Sequence, residues 1–389
     1  MDSSEILHRI YFSETLQEVT DIRELSSSSA GYSSVYAVYD INVGAVAGKI
    51  AGLLGQAGCH VSGMYPLEAT EEKKTIETVT DICRWLLERG ADRRSLLLAI
   101  GGGITTDMAG FAASVYMRGI RCSYIPTTLL AQVDASVGGK TGVNLDSYKN
   151  IIGTVRQPDF VWLCSETLLT LRYRDFLSGA AEVLKTFIIS DGGWYGRAVK
   201  FLSGLKARMD SRPRNSSAGQ DDNVFGSYIS ENMEELAALV RVAAETKAGI
   251  VAEDPFESGR RRVLNLGHTF AHAIEHEEHA ARAGNPLSCG ALPPADRNLT
   301  HGEAVAVGII MAARLSEASG IAAAGTTDRL KRDFVSCGLP TECPVPQTSL
   351  AAAMSKDKKS ESGKIHLILI RSIGDVTERP MAADEAIIR

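Results

Sequence analysis

The hydrophobic pattern of the first half of the chain alternates between strand-like and helix-like stretches. It predicts strands over 35–39, 95–100 and 121–126, and helices over 44–57, 74–89 and 106–117. The run at 95–100 is continuously apolar, as in a strand buried on both faces, and it ends in three consecutive glycines. Strand, glycine turn, helix and strand in this order form a βαβ unit. The pattern therefore predicts a parallel sheet with helices on both faces, an α/β fold of the Rossmann-like kind.

From about residue 178 the pattern becomes helical. Helix-type spacing is found over 182–189, 231–252, 268–278 and 301–319. We therefore expect an α/β N-terminal domain over residues 1–177 and a mostly α-helical C-terminal domain over 178–389. Two polar, turn-rich stretches, 211–222 and 283–298, are predicted to be loops.

Composition and charge narrow the class of protein. The 389 residues carry a formal net charge of −6, so the chain lacks the basic excess typical of non-specific nucleic-acid binders. No apolar run is long enough to span a membrane, and the N-terminus lacks a signal-peptide pattern. The seven cysteines are scattered and never spaced C-x-x-C, which is typical of reduced thiols. We expect a cytoplasmic protein with neither nucleic acid nor membrane as a partner.

The glycine triplet at 101–103 suggests a phosphate site. Glycines after a strand let the backbone approach a ligand, and the helix that follows offers free N–H groups. A plain tight turn is the alternative, because Thr106 stands where the usual dinucleotide motif has its third glycine. The segment 126–144 gathers hydroxyls, a carboxylate, a lysine and three glycines, a composition suited to anions and hydroxyls. It is not a P-loop, because Asp134 occupies the position of the first glycine.

Histidines are concentrated near the middle of the second half: five of the eight lie between 268 and 301. His268 and His272 are one helical turn apart and share a face. This pair indicates either zinc ligands or an ordinary polar face. A carboxylate from another helix, such as Glu182, makes the two interpretations equally favoured.

Lys247 falls on the apolar stripe of the helix predicted over 231–252. Its amine either extends to solvent past the apolar face or points into a polar cavity. Arg261 and Asn265, one turn apart, are candidates for the same cavity, although Asn265 is also a suitable helix cap.

Taken together, the motifs resemble those of the 3-dehydroquinate synthase family over most of the chain. In order they are GGGITTDMAGFAA (101–113), RG (118–119), PTTLLAQVD (126–134), GGKTGVN (138–144), KNIIG (149–153), GAAEVLK (179–185), LNLGHTFAH (264–272), HGE (301–303) and DKK (357–359). The resemblance implies a Rossmann-like NAD domain followed by a helical metal domain. It also implies NAD and one divalent metal, zinc or cobalt, as cofactors, and a homodimer.

The reaction implied by the resemblance converts 3-deoxy-D-arabino-heptulosonate 7-phosphate to 3-dehydroquinate and phosphate. The implied metal ligands are Glu182, His268 and His301, so that His272 is not a ligand. The implied substrate-pocket residues are Asp134, Lys140, Asn150, Lys185, Lys247, Arg261, Asn265 and His272, with Arg118, Lys149 and Lys358 as further contacts to phosphate or carboxylate. The implied NAD residues are Asp40, Asn42, Glu71, Lys74, Gly102, Gly103, Asp107, Thr127, Thr128 and Thr170, together with Lys140 and Lys149.

Two alternatives share these features. One is another sugar-phosphate cyclase, although such relatives tend to lack counterparts of Lys247, Asn265 or His272. The other is a metal-dependent polyol or glycerol-phosphate dehydrogenase of the same fold, which needs fewer cations in its pocket. The chain also departs from the family pattern, because 32 residues separate His268 from His301, about twice the expected number. The third ligand therefore depends on the motif His301-Gly-Glu and not on spacing.

Overall fold

A computed structural model describes residues 9–22, 31–146, 148–211, 218–282, 298–355, 365–382 and 385–387. The chain divides into two compact units. Unit 1 comprises Met1–Arg172 and Ile229–Phe256, and unit 2 comprises Tyr173–Tyr228 and Glu257–Arg389. The strands in chain order are β1 Ile10–Ser13, β2 Val35–Asp40, β3 Val61–Leu67, β4 Leu96–Gly101, β5 Arg121–Pro126, β6 Lys140–Leu145, β7 Tyr148–Val155, β8 Val161–Cys164, β9 Ile365–Ser372 and β10 Asp375–Met381.

Unit 1 is built on a six-stranded sheet in the order β1-β8-β5-β4-β2-β3, in which every pairing is parallel. The predicted parallel α/β sheet is therefore confirmed. The chain leaves β2 for β3 on one side and returns to β4 on the other. The order reverses at β2 and β4, and ligands of open α/β sheets bind beyond the carboxyl ends of strands at such a reversal.

The helices of unit 1 are Gly44–Gln56, Ile76–Glu88, Gly103–Val115 and Met233–Glu253. The core beneath the sheet is fully apolar; Ile50, Leu98 and Trp162 are at most 1% exposed. The helix predicted to begin near Thr106 begins at Gly103, because the three glycines belong to three successive parts of the structure. Gly101 ends β4, Gly102 is the extended N-cap, and Gly103 is the first helical residue.

The segment after β5 is ordered and forms no simple loop. A π-helical turn covers Ala131–Ala135, and β6 pairs with β7 as an antiparallel hairpin. Single π-turns are rare and concentrate at functional sites.

Unit 2 is mostly helical, as predicted. Its helices are Tyr173–Ser190, Gly192–Asp210, Ala218–Glu231, His268–Arg282, His301–Ala318, Thr326–Ser336 and Gln347–Ser355, and β9 and β10 form an antiparallel hairpin. The apolar helix His301–Ala318 packs against Tyr173–Ser190, His268–Arg282 and β9.

Glycines allow this close packing. A Cβ at Gly302 would lie 1.9 Å from the Ser178 carbonyl oxygen, and a Cβ at Gly308 would lie 2.1 Å from the Gly267 carbonyl oxygen. No side chain fits either place, so the two glycines bring helix His301–Ala318 directly onto its neighbours' backbones.

The division of the chain differs from the predicted boundary at 177/178, which falls inside the continuous helix Tyr173–Ser190. The helix Met233–Glu253, expected in the C-terminal domain, belongs to unit 1, since it packs on the π-turn Ala131–Ala135. Within the predicted loops, residues 212–217 and 283–297 lie outside the described residues, and 218–222 start a helix. Among the helices described, none combines the length and apolarity that crossing a membrane requires.

Candidate functional site

Three side chains of unit 2 converge in a way that suits a metal ion. Atoms of Glu182, His268 and His301 all lie within 4.8 Å of one another. The Oε1 atom of Glu182 is 3.7 Å from Nε2 of His268 and 3.8 Å from Nε2 of His301. Ligand atoms about 2.0–2.2 Å from a tetrahedral zinc ion lie about 3.3–3.6 Å apart, so these separations are close to those of a zinc site.

The charge and burial of Glu182 also fit a cation. The residue is fully buried, and its Oε2 forms an ion pair with the buried Lys185 one turn along the helix. Its Oε1 accepts no hydrogen bond from the described part of the chain. A buried carboxylate oxygen without a partner is costly, and a divalent ion held with the two imidazoles would satisfy it.

Both histidines of the cluster are positioned by the first turn of a helix. His268 and His301 are the first residues of their helices, whereas Glu182 lies in the middle of its own. Thr300 and Glu303 form a capping box at the start of helix His301–Ala318.

Two further contacts fix the chain that leads into this helix. Arg174 binds both carboxylate oxygens of Glu303, with contacts of 3.1 and 2.8 Å, and also donates to the Asn298 carbonyl oxygen. The hydrogen bond to Glu303 raises the pKa of Arg174, which keeps the guanidinium charged. The buried Glu278 accepts the Leu299 N–H at 3.4 Å.

His272 stands beside the cluster without joining it. Its ring centroid lies 5.6 Å from that of His268 and 6.5 Å from that of His301, and the side chain is exposed. Its implied role in substrate contact stays a prediction. Nearby in sequence, Arg261 is 4% exposed, and Asn265 donates to Glu257 Oε1 at 2.5 Å.

In unit 1, most of the implied NAD residues follow the carboxyl ends of the parallel strands. Asp40 ends β2 and accepts two hydrogen bonds from Asn42, both 2.9 Å. Gly102 and Gly103 follow β4, Thr127 and Thr128 follow β5, and Thr170 lies in a 3-10 helix after β8. This is the edge of the sheet at which the strand order reverses, where ligands bind in folds of this kind.

The glycines at this edge let the start of the helix Gly103–Val115 pack closely against the segment after β5. A Cβ at Gly103 would lie 3.0 Å from the Ala135 Cβ, and one at Gly102 would lie 3.2 Å from a Thr128 methyl group. The hydroxyl of the buried Thr127 has no hydrogen-bond partner among the described residues. A bare helix N-terminus and an unsatisfied hydroxyl fit the phosphates and hydroxyls of a dinucleotide.

A buried ion pair lies beside this edge. Lys74, 5% exposed, contacts Asp107 Oδ2 at 2.5 Å and Asn150 Oδ1 at 2.6 Å. Burial raises the pKa of Asp107, and the charge of Lys74 opposes this rise. Asn150 adopts a left-handed conformation with φ of 53°. Lys74 thus joins a helix residue to the β7 strand through one amine.

Lys247 does not extend to solvent. Its Nζ donates to the backbone oxygen and to Oδ1 of Asp134 at 2.7 and 2.6 Å, and the residue is 7% exposed. Asp134 belongs to the π-turn, so an irregular turn and a helix from a distant part of the sequence meet at this ion pair. Of the two directions that the sequence left open for Lys247, the structure supports the one in which the amine points at polar groups inside the protein.

The remaining predicted residues are exposed or lie outside the described residues. Arg118, Lys140 and Lys149 are exposed, and Arg118 adopts a left-handed conformation with φ of 67°. Glu71 is exposed and accepts a hydrogen bond from Asn144 Nδ2 at 2.8 Å. Lys358 lies outside the described residues.

Three polar residues at these sites were missed by the sequence analysis. Asn144 accepts the Asn150 N–H at 3.0 Å besides binding Glu71, and Glu257 holds Asn265. Glu275 Oε1 lies 3.3 Å from His301 Nδ1. Its position seven residues after His268 puts it on the same helix face, a signal that could have identified it.

Comparison with known proteins gives a consistent result. The family described as 3-dehydroquinate synthase N-terminal matches residues 64–178, and the one described as 3-dehydroquinate synthase C-terminal matches 179–360. The chain is 38% identical over 346 residues to 3-dehydroquinate synthase of Xanthomonas oryzae, covering 88% of this chain and 84% of that protein. It is 40% identical over 321 residues to 3-dehydroquinate synthase of Acidithiobacillus ferrooxidans, covering 82% and 78%.

Among solved structures, the chain is similar to 2-epi-5-epi-valiolone synthase from Streptomyces hygroscopicus, which has NAD+ and Zn2+ bound. The TM-score is 0.74 and the identity 26%, over 94% of this chain and 92% of that one. A 2-deoxy-scyllo-inosose synthase, complexed with carbaglucose-6-phosphate, NAD+ and Co2+, shares the fold, with a TM-score of 0.70 and 22% identity over 97% and 94% of the chains.

Proposed function

The chain belongs to the 3-dehydroquinate synthase family, and we propose that it uses NAD and one divalent metal ion to eliminate phosphate from its substrate. The substrate is 3-deoxy-D-arabino-heptulosonate 7-phosphate, and the products are 3-dehydroquinate and phosphate. The reaction proceeds by transient oxidation, phosphate elimination, reduction, ring opening and aldol closure. Because phosphate is eliminated, the enzyme is a carbon–oxygen lyase, and its reaction belongs to the shikimate pathway. The cluster of Glu182, His268 and His301 is the observation that carries this proposal.

When bound, NAD supplies reversible oxidation and the divalent ion supplies Lewis-acid polarisation of a substrate oxygen. Glu182, His268 and His301 would hold the ion. Zinc and cobalt both accept this set of two imidazoles and one carboxylate. Gly102, Gly103, Asp107 and the residues after the other strands would hold NAD.

Each unit carries cations suited to an anionic substrate. A phosphate and a carboxylate on one small molecule require several fixed positive charges, and a charge-assisted hydrogen bond contributes about 1.5–3 kcal/mol. Unit 1 offers Lys140, Lys149, Arg118 and the buried Lys247, and unit 2 offers the buried Lys185 and Arg261. Because buried side chains have few alternative rotamers, the charges of Lys185, Lys247 and Arg261 are each held in a fixed direction within their own unit.

Asp134 and Lys247 form a polar pair suited to a hydroxyl-rich substrate. The carboxylate of Asp134 is partly exposed and can accept a hydrogen bond from a hydroxyl, whereas the amine of Lys247 can donate one. Asn265 and His272 add further polar groups. The presence of Lys247, Asn265 and His272 together favours a heptulosonate phosphate as substrate over the substrates of other sugar-phosphate cyclases.

One assay separates the proposal from its alternatives. The protein is incubated with zinc, the heptulosonate phosphate and much less NAD than substrate, and released phosphate and NADH absorbance are recorded together. We expect many phosphates per NAD without lasting NADH. NADH that accumulates in step with product would instead identify a polyol or glycerol-phosphate dehydrogenase. Turnover of sedoheptulose 7-phosphate in preference to the heptulosonate would identify another sugar-phosphate cyclase.

For assembly and location we propose a homodimer in the cytoplasm that binds neither nucleic acid nor membranes. The resemblance and the acidic composition support this proposal. Sedimentation equilibrium of the purified chain tests the dimer, and a single monomeric species would contradict it.

A further inference from the structure

The two histidines of the metal cluster share an orientation. Both turn Nε2 toward Glu182 Oε1, at 3.7 Å from His268 and 3.8 Å from His301. Both therefore turn Nδ1 away from the cluster, and each Nδ1 meets an oxygen atom. His268 Nδ1 lies 3.3 Å from the Leu266 carbonyl oxygen, and His301 Nδ1 lies 3.3 Å from Glu275 Oε1.

These oxygens determine which tautomer each ring adopts. Carbonyl and carboxylate oxygens accept hydrogen bonds, so Nδ1 must carry the proton and donate it. In the neutral ring, Nε2 then presents its lone pair to the space shared with Glu182. A neutral imidazole with a bare Nε2 is the form that binds a metal ion, and the hydrogen bond at the other nitrogen sets the ring orientation.

The two rings differ in the kind of group that accepts the hydrogen bond from Nδ1. The Leu266 carbonyl is part of the backbone next to His268, and its direction is fixed by the local turn. For His301 the acceptor is a side chain from another helix, His268–Arg282, and His301 is the more exposed of the two rings, at 33% against 13%. The orientation of His301 therefore depends on Glu275, whose side chain is only 12% exposed.

We propose that Glu275 is a positioning residue that holds His301 in the Nδ1-protonated form and so directs its Nε2 at the divalent ion, an inference that rests on the proposed function. Glu275 itself does not bind the ion, since its Oε1 is directed at the opposite nitrogen of the ring. Replacement of such an outer carboxylate lowers metal affinity by about 10–100-fold.

The same helix provides a matched control. Glu277 Oε1 lies 3.4 Å from Nδ1 of His276, in the same kind of carboxylate–imidazole contact, and its side chain is 15% exposed. His276 is exposed and is not part of the cluster. Glu277→Gln thus removes an equal charge two residues away without altering a proposed ligand.

The experiment measures zinc affinity by competition with a chromogenic chelator, for the wild type, Glu275→Gln, Glu275→Ala and Glu277→Gln. We expect affinity to fall about tenfold for Glu275→Gln, which retains a weaker acceptor, and about 100-fold for Glu275→Ala. Glu277→Gln should match the wild type within about twofold. Melting temperatures of the metal-free proteins show whether each variant is folded, and the visible spectrum of the cobalt forms should change for Glu275 variants alone.

The outcomes separate the inference from the function on which it rests. Wild-type protein that binds zinc, with Glu275→Gln and Glu275→Ala binding it equally well, overturns the role of Glu275 and leaves the proposed function standing. Equal losses in Glu275→Gln and Glu277→Gln also overturn it, since the effect would then come from helix charge. Wild-type protein that binds neither zinc nor cobalt overturns both proposals.

Discussion

The buried polar clusters of the two units differ in whether the chain itself supplies a partner for every charged atom. In unit 1, Lys74 is paired with Asp107 and Lys247 with Asp134, so each buried cation already has a carboxylate partner from the chain. In unit 2, Lys185 pairs with one oxygen of Glu182, and the other oxygen accepts no hydrogen bond from the described residues. The ion pairs of unit 1 are therefore complete without a bound ligand, whereas the Oε1 atom of Glu182 in unit 2 would be stabilised by a bound cation. Ligand removal should therefore affect the two units differently.

The largest expected effect comes from Glu182. Glu182→Gln removes the charge that holds the metal ion, and loss of several kcal/mol of Lewis-acid stabilisation lowers kcat/KM by about a thousandfold or more. Metal content after dialysis should fall with activity, while NAD affinity, which depends on unit 1, should stay near the wild-type value. A variant that retains both zinc and full activity would show that Glu182 is not needed to hold the ion.

Lys247→Met tests the paired cluster of unit 1. Methionine keeps most of the alkyl stem and removes the charge, so the protein should still fold, but Asp134 loses its cationic partner and the unfolding free energy should fall. We expect kcat/KM to fall by about 10–1000-fold, the range for loss of a charge-assisted hydrogen bond in a dry site. Lys49→Met is the control, since its ion pair with Glu166 is at the surface. A kcat/KM within about threefold of wild type would show that Lys247 only supports Asp134.

Lys74→Met tests the NAD edge of the same unit. The variant loses the amine that joins Asp107 to Asn150, and we expect NAD to bind about 10–100-fold more weakly, as measured by calorimetry. Zinc content should not change, because the proposed metal ligands all belong to unit 2. Loss of zinc along with NAD affinity would contradict the separation of the two clusters.

Gly302→Ala disturbs unit 2 through packing alone. The added Cβ meets the Ser178 carbonyl oxygen, so the helix must move, and overpacking costs about 1–3 kcal/mol of unfolding free energy. Urea denaturation measures this loss, and zinc affinity should fall with it, because His301 is the preceding residue. Gly196→Ala is the matched control: a Cβ there meets nothing within 4 Å, and the change should be neutral or stabilising by up to about 1 kcal/mol.

The smallest expected effect is a pH dependence of unit 1 stability. Burial raises the pKa of Asp107, so this carboxyl favours folding at low pH and the contribution is lost as pH rises above its unfolded value of about 4. Lys74 counteracts the rise. Lys74→Met should therefore lose unfolding free energy more steeply than wild type as pH increases from about 4. Parallel stability curves for the two proteins would show that Asp107 keeps its charge without Lys74.

The sequence predicted those features that depend on local pattern. The parallel sheet follows from apolar runs such as 95–100, and the glycine turn that precedes Asp107 was correctly placed after its strand. The metal cluster was predicted from the motifs of the resemblance, not from periodicity, because His272 has better spacing to His268 than His301 has. The resemblance implied that His272 is not a ligand, which spacing could not do, because 32 residues lie between His268 and His301.

What could not be predicted depends on contacts distant in sequence. The stripe position of Lys247 left two directions open, and only packing of helix Met233–Glu253 on the π-turn selects one. The same contact moves this helix into unit 1, although its sequence resembles that of its helical neighbours. Glu275 was missed because a glutamate in a charged helix usually faces solvent, and its partner His301 comes from another helix.

The fixed start of helix His301–Ala318 has an evolutionary consequence. The Asn298 carbonyl, the Leu299 N–H and the helix cap at Thr300 are held respectively by Arg174, Glu278 and Glu303, so the approach to His301 is fixed from residue 298 onward. Variation in the number of residues before 298 therefore need not move the ligand. Natural selection can therefore lengthen, shorten or rewrite that stretch without moving His301, which is consistent with a chain that departs from its family's spacing and keeps the motif His301-Gly-Glu.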